Sequence, residues 1–331
     1  MHVLGEERQV RREAWGVERE LEAIVAGDRP LVLGPWTGEV GYEVLYWAPF
    51  LRWLAAAYRL EPARLVAVSR GGAASWYEGI AATYLDAFEL MSPGEFAAQA
   101  RAQAADRGTS KQHAPSPFDR DLVSRAEERL GSAAREVHPS LMFRLLRAFW
   151  AGQESMSFLE RHTRIERVRP PHAADLSSLP REYIAVKLYA ARSLPADAGM
   201  RATLRALVSN IASRVPVVLL DTDVRVDEHE DFAFDGLPNT YNARSLMTPA
   251  TNLAVQTQII GGARAFVGTC GSLAWLAPML GVDTLALFAD ARFLHAHLHV
   301  ARRAFHRLAG AGAFSPCDLG GMTKLGLTVG S

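Results

Sequence analysis

The sequence predicts an α/β protein of two parallel-sheet domains, residues 1–168 and 169–331, facing a cleft. Three observations predict it. A short apolar strand, a glycine loop, a helix and a second strand follow one another over 31–69. The same alternation restarts at Tyr183, after the proline-rich break Arg169-Pro170-Pro171-His172 and Ser177-Ser178-Leu179-Pro180. The chain has 331 residues, and at roughly 150 residues per domain that is enough for two cores. Strands alternating with helices pair in parallel and need cover on both faces.

The elements follow in order. Residues 6–26 mix charges with Trp15, Val17, Leu21 and Ile24 and read as an amphipathic helix. Leu31-Val32-Leu33 is a strand that runs into Gly34-Pro35-Trp36-Thr37-Gly38-Glu39-Val40-Gly41. A helix with Val44, Leu45, Trp47, Leu51 and Leu54 at helical spacing comes next. Leu65-Val66-Ala67-Val68 is the following strand, ending in Ser69-Arg70-Gly71-Gly72. Residues 92–140 read as Ala-rich, charged helices, with loops at Gly108-Thr109-Ser110 and Ala114-Pro115-Ser116-Pro117. Leu141, Met142, Leu145, Leu146, Phe149 and Trp150 form an apolar helical stripe that packs into a core.

In the second half, 183–188 and 215–220 are strands around a helix at 197–213. A helix opens at Thr248-Pro249, with Thr as N-cap and Pro at the first position, and stops at Gly261-Gly262. The strand Ala265-Phe266-Val267 enters Gly268-Thr269-Cys270-Gly271-Ser272; a helix to Gly281, the strand 284–288 and a last long helix over 292–308 follow.

Composition narrows the function. Hydrophobic residues make up 49%, charged residues 22%, and 36 Lys and Arg balance 36 Asp and Glu. A chain of zero net charge has no global basic field, so nucleic acid is not an expected partner. The sequence lacks the apolar run of about 20 residues that an integral membrane helix needs, which leaves only peripheral membrane contact open. Met1-His2-Val3-Leu4-Gly5-Glu6-Glu7-Arg8 lacks the basic-then-apolar layout of a signal peptide. Cys270 and Cys317 are too few for a disulfide framework or a zinc site. A cytoplasmic location is expected.

In open α/β sheets ligands bind beyond the carboxyl ends of the strands, so the loops after strands carry the chemistry. In the first loop Gly34, Gly38 and Gly41 allow tight turning and close approach of backbone N–H groups. Their spacing is neither that of a dinucleotide fingerprint nor that of a P-loop. Glu39 and Glu43 open the next helix, where the helix dipole favours carboxylates. The functional alternative is that one of them is a general base at the cleft mouth, and the sequence leaves open which. The second loop, 268–272, places small residues at a helix N-terminus, an arrangement suited to an anion or simply to a capped turn. Thr269 and Ser272 add hydroxyls. Arg70, Lys187 and Arg192 lie in or just after strands, and the Arg192 guanidinium could grip a phosphate bidentately.

At this point the residues carry a resemblance. Asn252-Leu253-Ala254-Val255-Gln256-Thr257-Gln258, followed by Ala265-Phe266-Val267-Gly268-Thr269-Cys270-Gly271-Ser272-Leu273-Ala274-Trp275-Leu276-Ala277-Pro278-Met279-Leu280-Gly281-Val282, resembles the donor-binding region of GT-B glycosyltransferases. Lipopolysaccharide heptosyltransferases and the fucosyltransferase-like group belong to these. Glu43-Val44-Leu45-Tyr46-Trp47-Ala48-Pro49 is similar in spacing to the heptosyltransferase segment that runs from a catalytic Asp to a Pro, with Glu in place of Asp. The resemblance covers these segments firmly and the two-domain plan loosely.

It implies two Rossmann-like domains and transfer of a sugar from a nucleotide-sugar donor to an acceptor hydroxyl, with a Glu base and without metal or other cofactor. The acceptor, a glycan, glycolipid or other hydroxyl compound of bacterial polysaccharide biosynthesis, would meet the N-terminal domain at Trp36, Gly38 and Arg70. The donor would meet Lys187, Arg192, Asp221, Gly268, Thr269, Cys270, Gly271 and Ser272 in the C-terminal domain. Two departures stand out: Trp275 occupies a position where heptosyltransferases usually carry His, and the spacing from Lys187 to Arg192 differs from the fucosyltransferase His-x-Arg motif. They keep two alternatives in view, a catalytically silent nucleotide- or carbohydrate-binding protein and a GT-B-fold nucleotide-sugar epimerase.

Other signals compete. Asp221-Thr222-Asp223 resembles the metal-binding Asp-x-Asp motif of GT-A glycosyltransferases, but a second βα series follows it. His295 and His299 share a helix face with no carboxylate at ligand spacing. Cys270 would be a nucleophile if a helix N-terminus lowered its thiol pKa. Asp227-Glu228-His229-Glu230-Asp231 reads as a solvated loop, and 239–246 is assigned to the nucleobase from topology.

Overall fold

Runs of β-branched and leucine residues bounded by glycine and proline become short, wholly buried strands. Two such runs, Leu31–Leu33 and Leu65–Ser69, have every residue buried. The computed structural model describes residues 2–109, 111–222 and 230–324. The chain divides into two units, Met1–Ile165 and Glu166–Ser331.

The first unit opens with α1 (His2–Val25), which buries Ala14, Val17, Leu21 and Val25 at helical spacing. Then come β1 (Leu31–Leu33), the single turn α2 (Val40–Tyr42), a π-helical turn at Glu43–Trp47, and α3 (Ala48–Ala57). β2 (Leu65–Ser69) leads through a 3₁₀ turn at Ala73–Tyr77 to β3 (Thr83–Asp86). Helices α4 (Ala87–Leu90), α5 (Pro93–Arg107) and α6 (Pro117–Leu130) precede β4 (Arg135–Val137). The unit closes with α7 (Pro139–Trp150) and α8 (Met156–Arg161).

All four strands are parallel, in the order β3-β2-β1-β4, with Leu31 opposite both Leu65 and Arg135. The chain runs outward from β1 to β3 and then returns to add β4 on the other side. The loops after β1 and β4 therefore leave in opposite directions, which makes this a topological switch point. The 141–150 stripe packs as expected: Leu141, Met142, Leu145, Leu146 and Phe149 are buried, and α7 lies against α1.

The second unit contains β5 (Ile184–Lys187), β6 (Tyr189–Ala190), α9 (Ala198–Ala212), β7 (Val217–Leu219), β8 (Glu230–Asp231) and β9 (Thr240–Asn242). α10 (Asn252–Gly261), β10 (Ala265–Thr269), α11 (Leu273–Met279), β11 (Asp283–Phe288), α12 (His295–Arg307), β12 (Phe314–Asp318) and α13 (Leu319–Lys324) complete it. Six strands pair in parallel as β12-β11-β10-β5-β7-β9, and β6 pairs with β8 in a small antiparallel ribbon. The switch point lies between β5 and β10.

The structure corrects three boundaries. α10 starts at Asn252, not at Pro249, because the Thr248 N–H donates to Thr251 Oγ1 (3.0 Å) and the Asn252 amide donates to the Pro249 carbonyl (2.6 Å), which leaves 248–251 as a turn. The strand expected over 183–188 splits into β5 and β6. The loop at 114–117 contains a buried capping box: the Ser116 side chain accepts from the Asp119 N–H, and Asp119 accepts from the Ser116 N–H. Ser110, Asp223 and 227–229 lie outside the described residues.

Gly34 has φ +122°, and a Cβ there would stand 2.5 Å from the Val68 carbonyl oxygen and 3.0 Å from the Trp36 nitrogen. Both strain and collision act against any side chain, so Gly34→Ala should destabilise the protein by roughly 2 kcal/mol or more. Gly152 also has positive φ but open space around it, and Gly152→Ala should cost less, about 1 kcal/mol. Urea unfolding of the two variants checks the difference.

Candidate functional site

At the carboxyl ends of the first sheet, each strand delivers a polar residue into a largely buried cluster. β1 runs into the loop 34–39, β2 ends in Ser69 and Arg70, β3 ends in Asp86, and His138 follows β4. Five residues singled out from sequence meet here: Trp36, Gly38, Glu39, Glu43 and Arg70. Arg70, 4% exposed, donates from Nη2 to the Gly38 carbonyl (2.8 Å) and lies 3.5 Å from the Trp36 carbonyl. Its guanidinium therefore holds the first loop by its backbone.

Glu43 begins the π-helical turn and has no exposed surface. π-Helical turns concentrate at functional sites. Glu43 Oε1 accepts from the Ser69 hydroxyl and from the Tyr77 hydroxyl (2.6 Å), while Oε2 is buried with no hydrogen-bond partner. Burial pushes the carboxyl up to about 7, against the lowering effects of Arg70, Ser69 and Tyr77. Glu39 differs. It is half-buried, at the N-terminal edge of α2, and its side chain does not cap the helix. Nearby, Lys111 Nζ lies 4.7 Å from the centre of the Tyr42 ring.

Sequence reasoning missed Ser69, Tyr77, Asp86, Gln112, Asp119 and His138. Asp86, at the end of β3, accepts from the Gly72 N–H (2.6 Å), the Phe88 N–H (2.9 Å) and the Tyr84 hydroxyl (3.0 Å), and burial raises its pKa. Position at a strand end could have found Ser69, Asp86 and His138. The Ser116-Pro117-Phe118-Asp119 pattern could have found Asp119 as a capping residue. No local signal marks Gln112 or Tyr77.

In the second unit, Arg192 follows the β5–β6 segment and the loop 268–272 follows β10, so both stand at the carboxyl side of the switch point. Arg192 is exposed and lies 5.9 Å from the Phe293 ring. Ser272 adopts φ +41°, ψ −120°, a strained backbone for a residue other than glycine. The other members of the loop have structural roles. The Thr269 hydroxyl accepts from the Tyr189 N–H (2.9 Å) and donates to the Tyr189 carbonyl (2.8 Å). A Cβ on Gly268 would stand 2.5 Å from the Phe266 ring and 2.9 Å from the Lys187 carbonyl oxygen.

Cys270 is buried and its thiol is pushed up to about 12, which removes the nucleophile reading: desolvation outweighs any helix-terminus effect. Lys187 is also corrected. Its ammonium donates to Asp231 (2.7 Å) and to the Leu220 carbonyl (3.0 Å), so its charge already has a partner within the chain. Asp221 accepts from the Asn242 amide (3.1 Å), and burial, with the charge of Asp231, raises its carboxyl to about 6. Among the described residues no group of three His, Cys, Asp or Glu is placed to hold a metal ion, and no helix is long and apolar enough to cross a membrane.

No family model and no curated protein matches the chain. Among solved structures it is similar to the bacterial iron-containing dodecameric glycosyltransferase TibC from enterotoxigenic E. coli, at 13% identity and TM-score 0.46 over 79% of this chain and 58% of that one. It is also similar to the E. coli ADP-heptose lipopolysaccharide heptosyltransferase II, at 12% identity and TM-score 0.46, covering 88% and 90% of the two chains. A third is E. coli heptosyltransferase WaaC with ADP, at 13% identity and TM-score 0.41, covering 79% and 88%. The likeness is one of fold, and the chain spans 58% of the length of TibC.

The Glu43 carboxyl makes stability depend on pH. Its pKa rises from 4.5 to about 7 on folding. A carboxyl raised in this way contributes stability that is whole below its unfolded value and lost as pH rises through the folded one, roughly 3 kcal/mol in all. The protein should therefore lose stability between pH 5 and pH 8 in thermal unfolding, and Glu43→Gln should flatten that loss. An equal loss in the variant would assign the slope to other groups.

Proposed function

We propose that the protein is a glycosyltransferase that moves a sugar from a nucleotide-sugar to an acceptor hydroxyl. The observation that supports it most is Glu43. A carboxyl enclosed at the carboxyl ends of parallel strands, with one oxygen unpartnered and a pKa near neutrality, costs stability and answers no packing need. Such groups mark sites where charge is handled.

In this reading the first unit receives the acceptor. Glu39 is the base: it is the carboxylate of the pair with solvent access, whereas Glu43 has none. Proton transfer requires contact with the reacting hydroxyl, and geometry comes before pKa in choosing between them. Trp36 and Gly38 shape the loop beside Glu39, and Arg70 holds that loop by its carbonyls. Glu43 keeps Ser69 and Tyr77 in place behind it.

The second unit receives the donor. Arg192 and the strained 271–272 corner, at the carboxyl side of the β5/β10 switch point, would hold the diphosphate, with Asp221 beside them at the end of β7. No metal ion is assigned to the reaction. ADP, present in the WaaC structure, is the first ligand to try, with the other nucleoside diphosphates after it.

Two experiments test the reading. ADP or another nucleoside diphosphate should bind in calorimetric titration, and Arg192→Ala should weaken it by roughly tenfold or more. Absence of binding by every nucleoside diphosphate and nucleotide-sugar at millimolar concentration ends the proposal. Where transfer is measured, Glu39→Gln should lower kcat by roughly 100-fold or more and leave diphosphate affinity unchanged. Loss of turnover in Glu43→Gln alone would move the base to Glu43.

A further inference from the structure

The loop 34–39 lies beyond the end of β1, so the sheet ladder does not extend along it, yet its backbone is buried at Gly34, Pro35, Trp36 and Gly38. Buried N–H and C=O groups need partners. On one side the Trp36 N–H donates to the Val68 carbonyl (2.9 Å), and Arg70 takes the Gly38 carbonyl. On the other side the partner is a single side chain from far along the sequence. Gln112, with no exposed surface, accepts from the Thr37 N–H through Oε1 (2.9 Å) and donates to the Pro35 carbonyl through Nε2 (2.8 Å). It meets the loop as a neighbouring strand would, with one acceptor and one donor.

A side-chain amide can present either end, and only one orientation serves the loop. Flipped, Gln112 would put its NH₂ against the Thr37 N–H and its oxygen against the Pro35 carbonyl. Asp119 excludes that orientation. Its Oδ1 accepts from Gln112 Nε2 (2.9 Å), and an ionised carboxylate has no proton to offer in return. Its Oδ2 accepts from the Ser116 N–H (2.7 Å) and the Ser116 hydroxyl (2.6 Å), and His138 Nε2 lies 3.4 Å away. Burial acts to raise its pKa, but these partners hold the carboxyl below its ordinary value. The Ser140 N–H donates to His138 Nδ1 (3.1 Å), so a neutral His138 carries its proton on Nε2, towards Asp119.

We infer that Gln112 and Asp119 are positioning residues: Asp119 fixes the orientation of the Gln112 amide, and Gln112 fixes the loop that ends in Glu39. Their effect on transfer rests on the glycosyltransferase reading; their effect on the loop does not.

The experiment therefore reads both. In hydrogen exchange of the full chain, Gln112→Met, which keeps the volume and removes the polar atoms, should speed exchange of the Thr37 amide by roughly tenfold or more. The near-isosteric Asp119→Asn should do the same with Gln112 intact, a result that packing alone does not produce. Ser116→Ala, which disturbs the α6 cap but not the Gln112 contact, should leave Thr37 unchanged. Where transfer is measured, the first two variants should lower kcat with little change in donor KM. An unchanged Thr37 amide in folded Gln112→Met overturns the inference, as does an unchanged kcat in an active enzyme. If wild type transfers no sugar while Thr37 protection still depends on Gln112, the clamp stands and the proposed function falls.

Discussion

A carboxyl group cut off from water must be held by the groups around it, and Glu43 is held by two hydroxyls. Ser69 comes from the end of β2, Tyr77 from the 3₁₀ turn that follows, and Glu43 itself from the helix after β1. One oxygen thus ties together three segments that the sheet leaves separate at its carboxyl end. Arg70, next to Ser69, takes the carbonyl of Gly38 and opposes the burial penalty on Glu43. The arrangement of the polar cluster follows from keeping that one group solvated by protein.

The two units solve the same topological problem with different materials. Each begins with a central strand, builds outward on one side and returns to the other. In the first unit, long-range polar side chains organise the divergent loops. In the second, backbone contacts do most of that work: the Ser193 carbonyl accepts from the Ala289 and Asp290 N–H groups, and Thr269 bonds both polar atoms of the Tyr189 backbone. Ion pairing of Lys187 with Asp231 leaves Arg192 as the cation of that set with solvent access.

Legibility in the sequence followed burial. β1, β2, β5, β10 and β11 are dominated by apolar residues and could be read directly. β3 (Thr-Tyr-Leu-Asp), β4 (Arg-Glu-Val) and β12 (Phe-Ser-Pro-Cys-Asp) are sheet edges with polar residues, and no hydrophobic pattern announces them. Glu39, Glu43 and Arg70 were legible because they follow strands. Gln112 was not, since its partners stand 75 and 77 residues away and nothing local requires it. Cys270 misled because the sequence shows a helix start but not the depth at which the thiol is buried.

The π-helical turn at Glu43–Trp47 has a consequence for how this segment can vary. A π turn accommodates one residue more than the regular spiral, and each residue of an α-helix advances the azimuth by about 100°. Deleting a single residue there would restore ordinary pitch but rotate everything before it against everything after it. Glu39 and the packed rings of Trp47 and Phe50 could not then keep their bearings together. The segment should therefore tolerate changes of side chain far better than changes of length.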